Sequence, residues 1–158
     1  NIENIKYDYI LLYIIAPNND IIEFTRKLAK KKNCKIIYIN HSYKNVIGVK
    51  NVKTAGPDEF LYYLKNAKYI VTTSFHGVAF SINFKKQFFY ALSKETNNFN
   101  SRIENLVNLL GLEDRTIDKD FSKYKTINYE NVYSKLDEQR TLSQNELRKE
   151  LVKKYDKK

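Results

Sequence analysis

Apolar residues run along this chain in two alternating rhythms. Tyr9 to Ile15 (YILLYII) is an unbroken apolar stretch, too short for a typical helix and rich in β-branched and aromatic residues, which predicts a strand buried on both faces. Pro17, Asn18 and Asn19 break it. Ile21, Phe24, Thr25 and Leu28 then recur at helical spacing, with Lys27, Lys30, Lys31 and Lys32 on the other side, so a helix is expected over about Asp20 to Lys32. Lys35 to Ile39 is a second short apolar strand. Val46 to Val52 is weaker because Gly48 lies inside it, and a third strand is expected near Asn51 to Thr54.

The rhythm repeats downstream. Gly56, Pro57 and Asp58 mark a helix start, with Pro in the first turn and Asp58 and Glu59 against the positive helix end, and with Phe60, Leu61, Leu64 and Ala67 as its buried face. Tyr69 to Thr73 reads as a buried strand, then the turn Ser74-Phe75-His76-Gly77, then a short apolar helix to about Asn83, then a strand from Gln87 to Leu92. Ser101 and Glu104 fit a capping box opening a helix that carries Ile103, Leu106, Val107 and Leu110 and stops at Gly111. Strands alternating with helices imply crossover connections, hence an open Rossmann-like α/β domain whose parallel sheet has helices on both faces. That domain is expected over residues 1–115. From Gly111 onward 12 cations and 10 acids replace most apolar residues, which points to a helical extension over 116–158 made of two segments, about 129–140 and 143–156, the second opened by Ser143 and Glu146.

Composition narrows the function classes. With 158 residues the chain is of single-domain size. A lone Cys34 excludes a disulfide framework, and one Cys with two His leaves no zinc site of the usual kind. No apolar run approaches the ~20 residues of a membrane span, and no signal-peptide pattern opens the chain, so a cytoplasmic protein is expected, at most peripheral to the inner face of the membrane. The chain starts at Asn1 and lacks Met, which suggests a piece of something longer. The net charge of +10 invites nucleic acid, yet only five of the 28 cations are Arg, the residue favoured for reading bases and phosphates. Lys, Asn, Ile, Tyr and Phe are abundant together and all have A/T-rich codons, so the charge is read as genome bias, with a field helpful to small anions second and nucleic acid not expected as a partner.

Ligands of open parallel sheets bind outside the carboxyl ends of the strands, beside helix N-termini. Three segments meet that rule: Thr73 to Gly77, Thr54 to Asp58, and Asn100 to Arg102. There is no GxGxxG and no Walker-type loop among the four glycines, which disfavours a glycine-cradled nucleotide. His76 is the leading catalytic candidate, because an imidazole both neutralises an anion and delivers a proton near neutral pH, and because Gly77 beside it would admit a ligand to the backbone. His41 reads as a solvated loop residue. Arg102, placed by the capping box in a helix's first turn, is electrostatically disfavoured there by about 0.3–1 kcal/mol, a cost that an anion bound through about 1.5–3 kcal/mol would offset; an exposed Arg paired with Glu104 explains it equally well. Ser101 reads first as a cap, Asp58 and Glu59 as helix-start carboxylates.

The order GPDEFLYYLKNAKYIVTTSFHGVAFSINFKKQFFYAL followed by NSRIENLVNLLGLEDR resembles the C-terminal half of the polysaccharide pyruvyltransferase family, in register over about residues 7–115. The resemblance implies one lobe of a glycosyltransferase B-type fold. The implied activity is transfer of the enolpyruvyl unit of phosphoenolpyruvate to two sugar hydroxyls, leaving a pyruvate ketal on a cell-surface glycan and free phosphate. It implies His76 as the general acid and donor contact. Arg102 and the helix starts at Gly56, Pro57, Asp58 and at Ser74, Phe75, Gly77, with Ser101 nearby, would hold phosphate and carboxylate. No cofactor is implied. The acceptor would be a glycan, free or lipid-linked, and an N-terminal lobe outside this chain would supply most of its contacts. Thr72 and Thr73 stand where an acid is expected before Ser74. A nucleotide-sugar glycosyltransferase lobe of the same fold and a basic anion- or nucleic-acid-binding module are the alternatives.

Overall fold

The structure is a computed structural model that describes residues 5–15, 19–39, 45–92, 97–117 and 124–155. His41, Pro17 and Asn18 lie outside the described residues. Five strands, β1 (Tyr9–Tyr13), β2 (Lys35–Ile39), β3 (Lys50–Val52), β4 (Tyr69–Thr72) and β5 (Gln87–Tyr90), form one parallel sheet in the order β3-β2-β1-β4-β5. The fold is α/β, with helices on both faces.

The direction of chain travel decides which helix lies where. From β1 the chain passes through α1 (Asn19–Lys32) to β2 on one side; from β4 it passes through α3 (Phe75–Asn83) to β5 on the other. Right-handed crossovers in opposite directions put the two helices on opposite faces. The core divides accordingly. Ile10, Leu12, Val71 and Phe89 pack with Ile21, Phe24 and Leu28 of α1. Tyr9, Leu11, Ile70 and Phe88, their neighbours along the same strands, pack with Leu64 of α2 (Pro57–Asn66), Val78 and Ile82 of α3, and Val107 of α4 (Asn97–Leu110). Period-two alternation with both faces apolar is why β1 and β4 read as continuous hydrophobic runs.

Several expectations need correction. The buried face of α2 is Tyr63, Leu64 and the flanking Ala67, with Phe60 and Leu61 only partly covered, and Tyr9 reaches across to donate its hydroxyl hydrogen to the Tyr63 carbonyl at 2.8 Å. Helix α4 begins at Asn97, a full turn before Ser101, so Ser101 does not cap it. Asparagines are themselves well suited to helix starts, and the S-x-x-E pattern acts as a cap only where its Ser leaves the helical conformation. The stop at Gly111 is as expected: it takes φ +69°, and Leu112 donates back to the Val107 carbonyl at 2.8 Å.

The tail is one helix, α5 (Tyr129–Tyr155), and Ser143 lies inside it. No Gly or Pro interrupts this stretch, and Ser or Thr in a helix interior costs only tenths of a kcal/mol. Thr141 satisfies its hydroxyl within the helix, on the Asp137 carbonyl at 2.9 Å. Among the described side chains of α5, the anchored ones lie in its first turns. Val132 is 3% exposed, and the Tyr129 hydroxyl donates to the carbonyls of Ser81 and Lys86, whereas residues 141–152 are exposed throughout. Among the described residues no helix is long and apolar enough to cross a membrane.

Candidate functional site

In a parallel sheet every strand-to-helix junction falls at the same edge, so the starts of α2, α3 and α4 share the carboxyl edge of the strands. Between β1 and β4 the chain's direction of travel reverses, and that switch point is where such sheets leave a crevice. Two threonines tie its walls together. Thr72 is buried at the end of β4; its hydroxyl donates to the Tyr13 carbonyl at 2.6 Å and accepts the Ser74 N–H at 3.0 Å. Thr73 donates its N–H to the same Tyr13 carbonyl at 3.3 Å, and its Oγ1 accepts the Ile15 N–H at 3.1 Å. An acid at either position would accept but not donate, so the bridge from Thr72 to the Tyr13 carbonyl requires a hydroxyl.

Helix α3 springs directly from this knot. Ser74 is its N-cap residue, but no side chain caps the first turn. Ser74 is 1% exposed and its Oγ has no hydrogen-bond partner. Polar atoms in that condition are rare, because their desolvation is uncompensated. The positive helix end therefore stands beside a buried hydroxyl with unused bonding capacity. Gly77 does not act as a door to the backbone. It is buried, and the space its Cβ would fill is taken by Thr72, with Oγ1 2.2 Å and Cβ 2.8 Å away. Its small size lets the first turn of α3 rest on the end of β4.

His76 is exposed at the second position of α3. Phe75, half-buried, meets it edge-on with centroids 5.9 Å apart. Phe75 packs against the core and also meets α4: the Arg102 guanidinium lies over the ring, 5.2 Å from its centroid. His76, Phe75 and Arg102 thus form one continuous group. Arg102 is exposed in the second turn of α4, beyond the reach of the first-turn electrostatic penalty, so its presence needs no anion to explain it. Ser101 is exposed one position earlier.

Gly56, Pro57 and Asp58 stand at the start of α2, all exposed. The Gly56 N–H donates to the Glu59 carboxylate at 3.1 Å, which fixes the role of Glu59 as a helix-start group. Helix α2 is tied to its neighbours by Phe60, which packs edge-on against Tyr13 of β1 at 4.9 Å and Phe80 of α3 at 6.0 Å. The bridging roles of Thr72 and Thr73 were not legible beforehand. The only trace in the sequence is a pair of hydroxyl residues closing a strand that is otherwise apolar.

A family model described as polysaccharide pyruvyl transferase matches residues 2–93, which span β1 through β5 and the Ser74 to Gly77 turn. The chain belongs to that family. No curated protein matches the sequence. Among solved structures, UDP-GlcNAc 2-epimerase from Methanocaldococcus jannaschii is similar over 85% of this chain and 39% of its own, at 18% identity and a TM-score of 0.49. The same enzyme in complex with UDP-GlcNAc and UDP gives 83%, 38%, 18% and 0.48. Phenylacrylic acid decarboxylase from Aquifex aeolicus is similar over 82% of this chain and 94% of its own, at 10% identity and 0.43. The chain spans about two fifths of the length of the epimerase chains. For this pyruvyl transferase family member the fold assignment stands on its own strand order and crossovers.

Proposed function

We propose that this chain is the donor-binding lobe of a transferase that moves the enolpyruvyl unit of phosphoenolpyruvate onto a pair of hydroxyls of a polysaccharide precursor. The observation that carries the reading is the contiguous group His76–Phe75–Arg102 at the switch point of the sheet. Family membership supports the transferase class, and the geometry supports the assignment of roles.

A protonated His76 imidazole delivers a proton to the methylene carbon of phosphoenolpyruvate, converting C3 to a methyl group and making C2 electrophilic. One sugar hydroxyl adds at C2 and the second displaces phosphate by breaking the C2–O bond. Of the two hydroxyl protons, one restores the imidazolium and one leaves with phosphate. The Arg102 guanidinium and the uncapped first turn of α3 hold the donor's carboxylate and phosphate, with the α2 start at Gly56, Pro57 and Asp58 one helix away. Ser74, already desolvated, gains a partner when an anion arrives. The acceptor glycan is held chiefly by a second lobe outside this chain, in the manner of two-lobed glycosyltransferases.

The test is phosphate release by the full-length protein given phosphoenolpyruvate and a panel of sugar acceptors. His76→Ala should lower turnover by about 100-fold or more, the usual size of a general-acid contribution, with an unchanged melting temperature because the ring is exposed. Unaltered turnover in that variant would remove His76 from the chemistry. Thermal stabilisation by a nucleoside-diphosphate sugar, with none by phosphoenolpyruvate, would replace this reading with that of a nucleotide-sugar glycosyltransferase.

A further inference from the structure

On the β5 side of the sheet a buried guanidinium stands beside a cavity. Arg115, in the 3-10 turn Glu113–Arg115 that follows α4, is 1% exposed, yet its guanidinium makes a single hydrogen bond, from Nη1 to the Lys125 carbonyl at 2.7 Å. Its Nε and Nη2 are buried without partners. Among the described residues the carboxylate paired with it is Asp114, which stands 3.9 Å from Nε and is itself 57% exposed, too distant for a hydrogen bond and too solvated to serve as a full counter-charge. Phe89 and Tyr124 lie beneath and beside the guanidinium, at 4.8 and 5.3 Å, and supply face contacts but no acceptors in the guanidinium plane. A buried charge with two idle donors is costly, and burial accordingly depresses the affinity of Arg115 for its proton.

Arg115 lines a cavity of about 420 Å³ at the β5 side of the sheet, between the end of α4 and the start of α5. Lys125 and Lys135 line it as well, and Asn128, Asn131 and Ser134 add neutral donors and acceptors. The Lys135 ammonium lies over Gly111, where a Cβ would meet Nζ at 2.5 Å, so the missing side chain makes room for the cation at the rim. Among the described lining residues, three cations stand with one acid. The volume exceeds what a bare phosphate fills and falls in the range of small-molecule sites. None of its lining residues belongs to the Thr73 to Gly77, Gly56 to Asp58 or Ser101 to Arg102 segments.

We infer that this cavity binds an oxyanion carried on a hydroxylated small molecule, a phosphorylated or carboxylated saccharide. Its phosphate or carboxylate would be held by the charges of Arg115, Lys125 and Lys135, and its hydroxyls by the amide and hydroxyl side chains. The assignment is independent of the donor reading at His76.

Lysine footprinting of the full-length protein tests it. Acylation of each lysine is followed by mass spectrometry at constant ionic strength with glucose 1-phosphate, glucuronate, inorganic phosphate or plain glucose. Glucose 1-phosphate or glucuronate should slow modification of Lys125 and Lys135 several-fold more than that of the exposed Lys27 and Lys53, glucose should not, and His76→Ala should leave the protection intact. Protection by inorganic phosphate alone would overturn the saccharide part of the inference. Equal slowing at all four lysines, or loss of protection in His76→Ala, would overturn the site. Because Arg115→Gln risks unfolding the chain, Lys135→Gln at the rim serves as the second variant: the protection of Lys125 should fall at least several-fold, and full protection there would remove Lys135 from the site.

Discussion

Gly77 and Thr72 occupy one another's space: a methyl group on Gly77 would lie 2.2 Å from the Thr72 hydroxyl oxygen, the same atom that donates to the Tyr13 carbonyl and accepts from the Ser74 N–H. The helix that bears His76 is therefore seated on the hydrogen-bonded knot that closes β1 to β4. Gly77→Ala should force the two apart and cost about 1–3 kcal/mol, the range for overpacked cores. Chemical denaturation is the measurement. Gly56→Ala is the control, since nothing lies within 4 Å of a Cβ there, and it should cost no more than about 1 kcal/mol through the weaker cap.

Arg102 should act on donor affinity more than on folding. Losing a charge-assisted hydrogen bond of about 1.5–3 kcal/mol corresponds to a roughly 10- to 150-fold rise in the KM for phosphoenolpyruvate in Arg102→Ala, without a matching change in melting temperature. Arg102→Lys keeps the charge but loses the planar fork over Phe75, so it should recover only part of the affinity. A normal KM in Arg102→Ala would take this residue out of the donor site.

Stability should fall at alkaline pH in a way that depends on Tyr129. Burial, followed by the neighbouring Tyr133, raises the pKa of this phenol above its ordinary 10, and in its protonated form it donates to the Ser81 and Lys86 carbonyls. The folded state thus holds this proton more tightly than the unfolded state. The contribution is complete below pH 10 and is lost as pH rises from there through the folded value. Tyr129→Phe should lower stability by about 1 kcal/mol at pH 8 and flatten its decline between pH 10 and 11, as read from melting curves. A parallel decline in both proteins would contradict the assignment.

The two ends of α5 should respond differently to truncation of an apolar side chain. Val132 is 3% exposed in the core, and Val132→Ala should cost about 2 kcal/mol. Leu147 is 62% exposed, and Leu147→Ala should leave the unfolding free energy of this chain unchanged to within about 0.5 kcal/mol.

The strands and the core helices could be read from the chain because their signals are local. Period-3.6 patterns record which side of a helix is dry, and continuous apolar runs mark strands covered on both faces, as in YILLY, KIIYI and YIVT. The order GPDEF, TSFHG and LLGLEDR could likewise be matched to a family without any coordinates. Helix limits were less legible, since Ser101 and Ser143 carry cap-like patterns inside helices that packing and good propensity simply continue.

The sequence by itself determined the alternation of elements, the parallel sheet, the family and the candidacy of His76, because each depends on residue type and spacing along the chain. Only the tertiary structure decided that Gly77 serves packing, that Thr72 and Thr73 bind two strands together, that Arg102 meets Phe75, and that Arg115 is buried with idle donors beside a cavity. Those facts depend on distances between residues far apart in the chain, and a one-dimensional pattern carries no record of which buried group meets which partner.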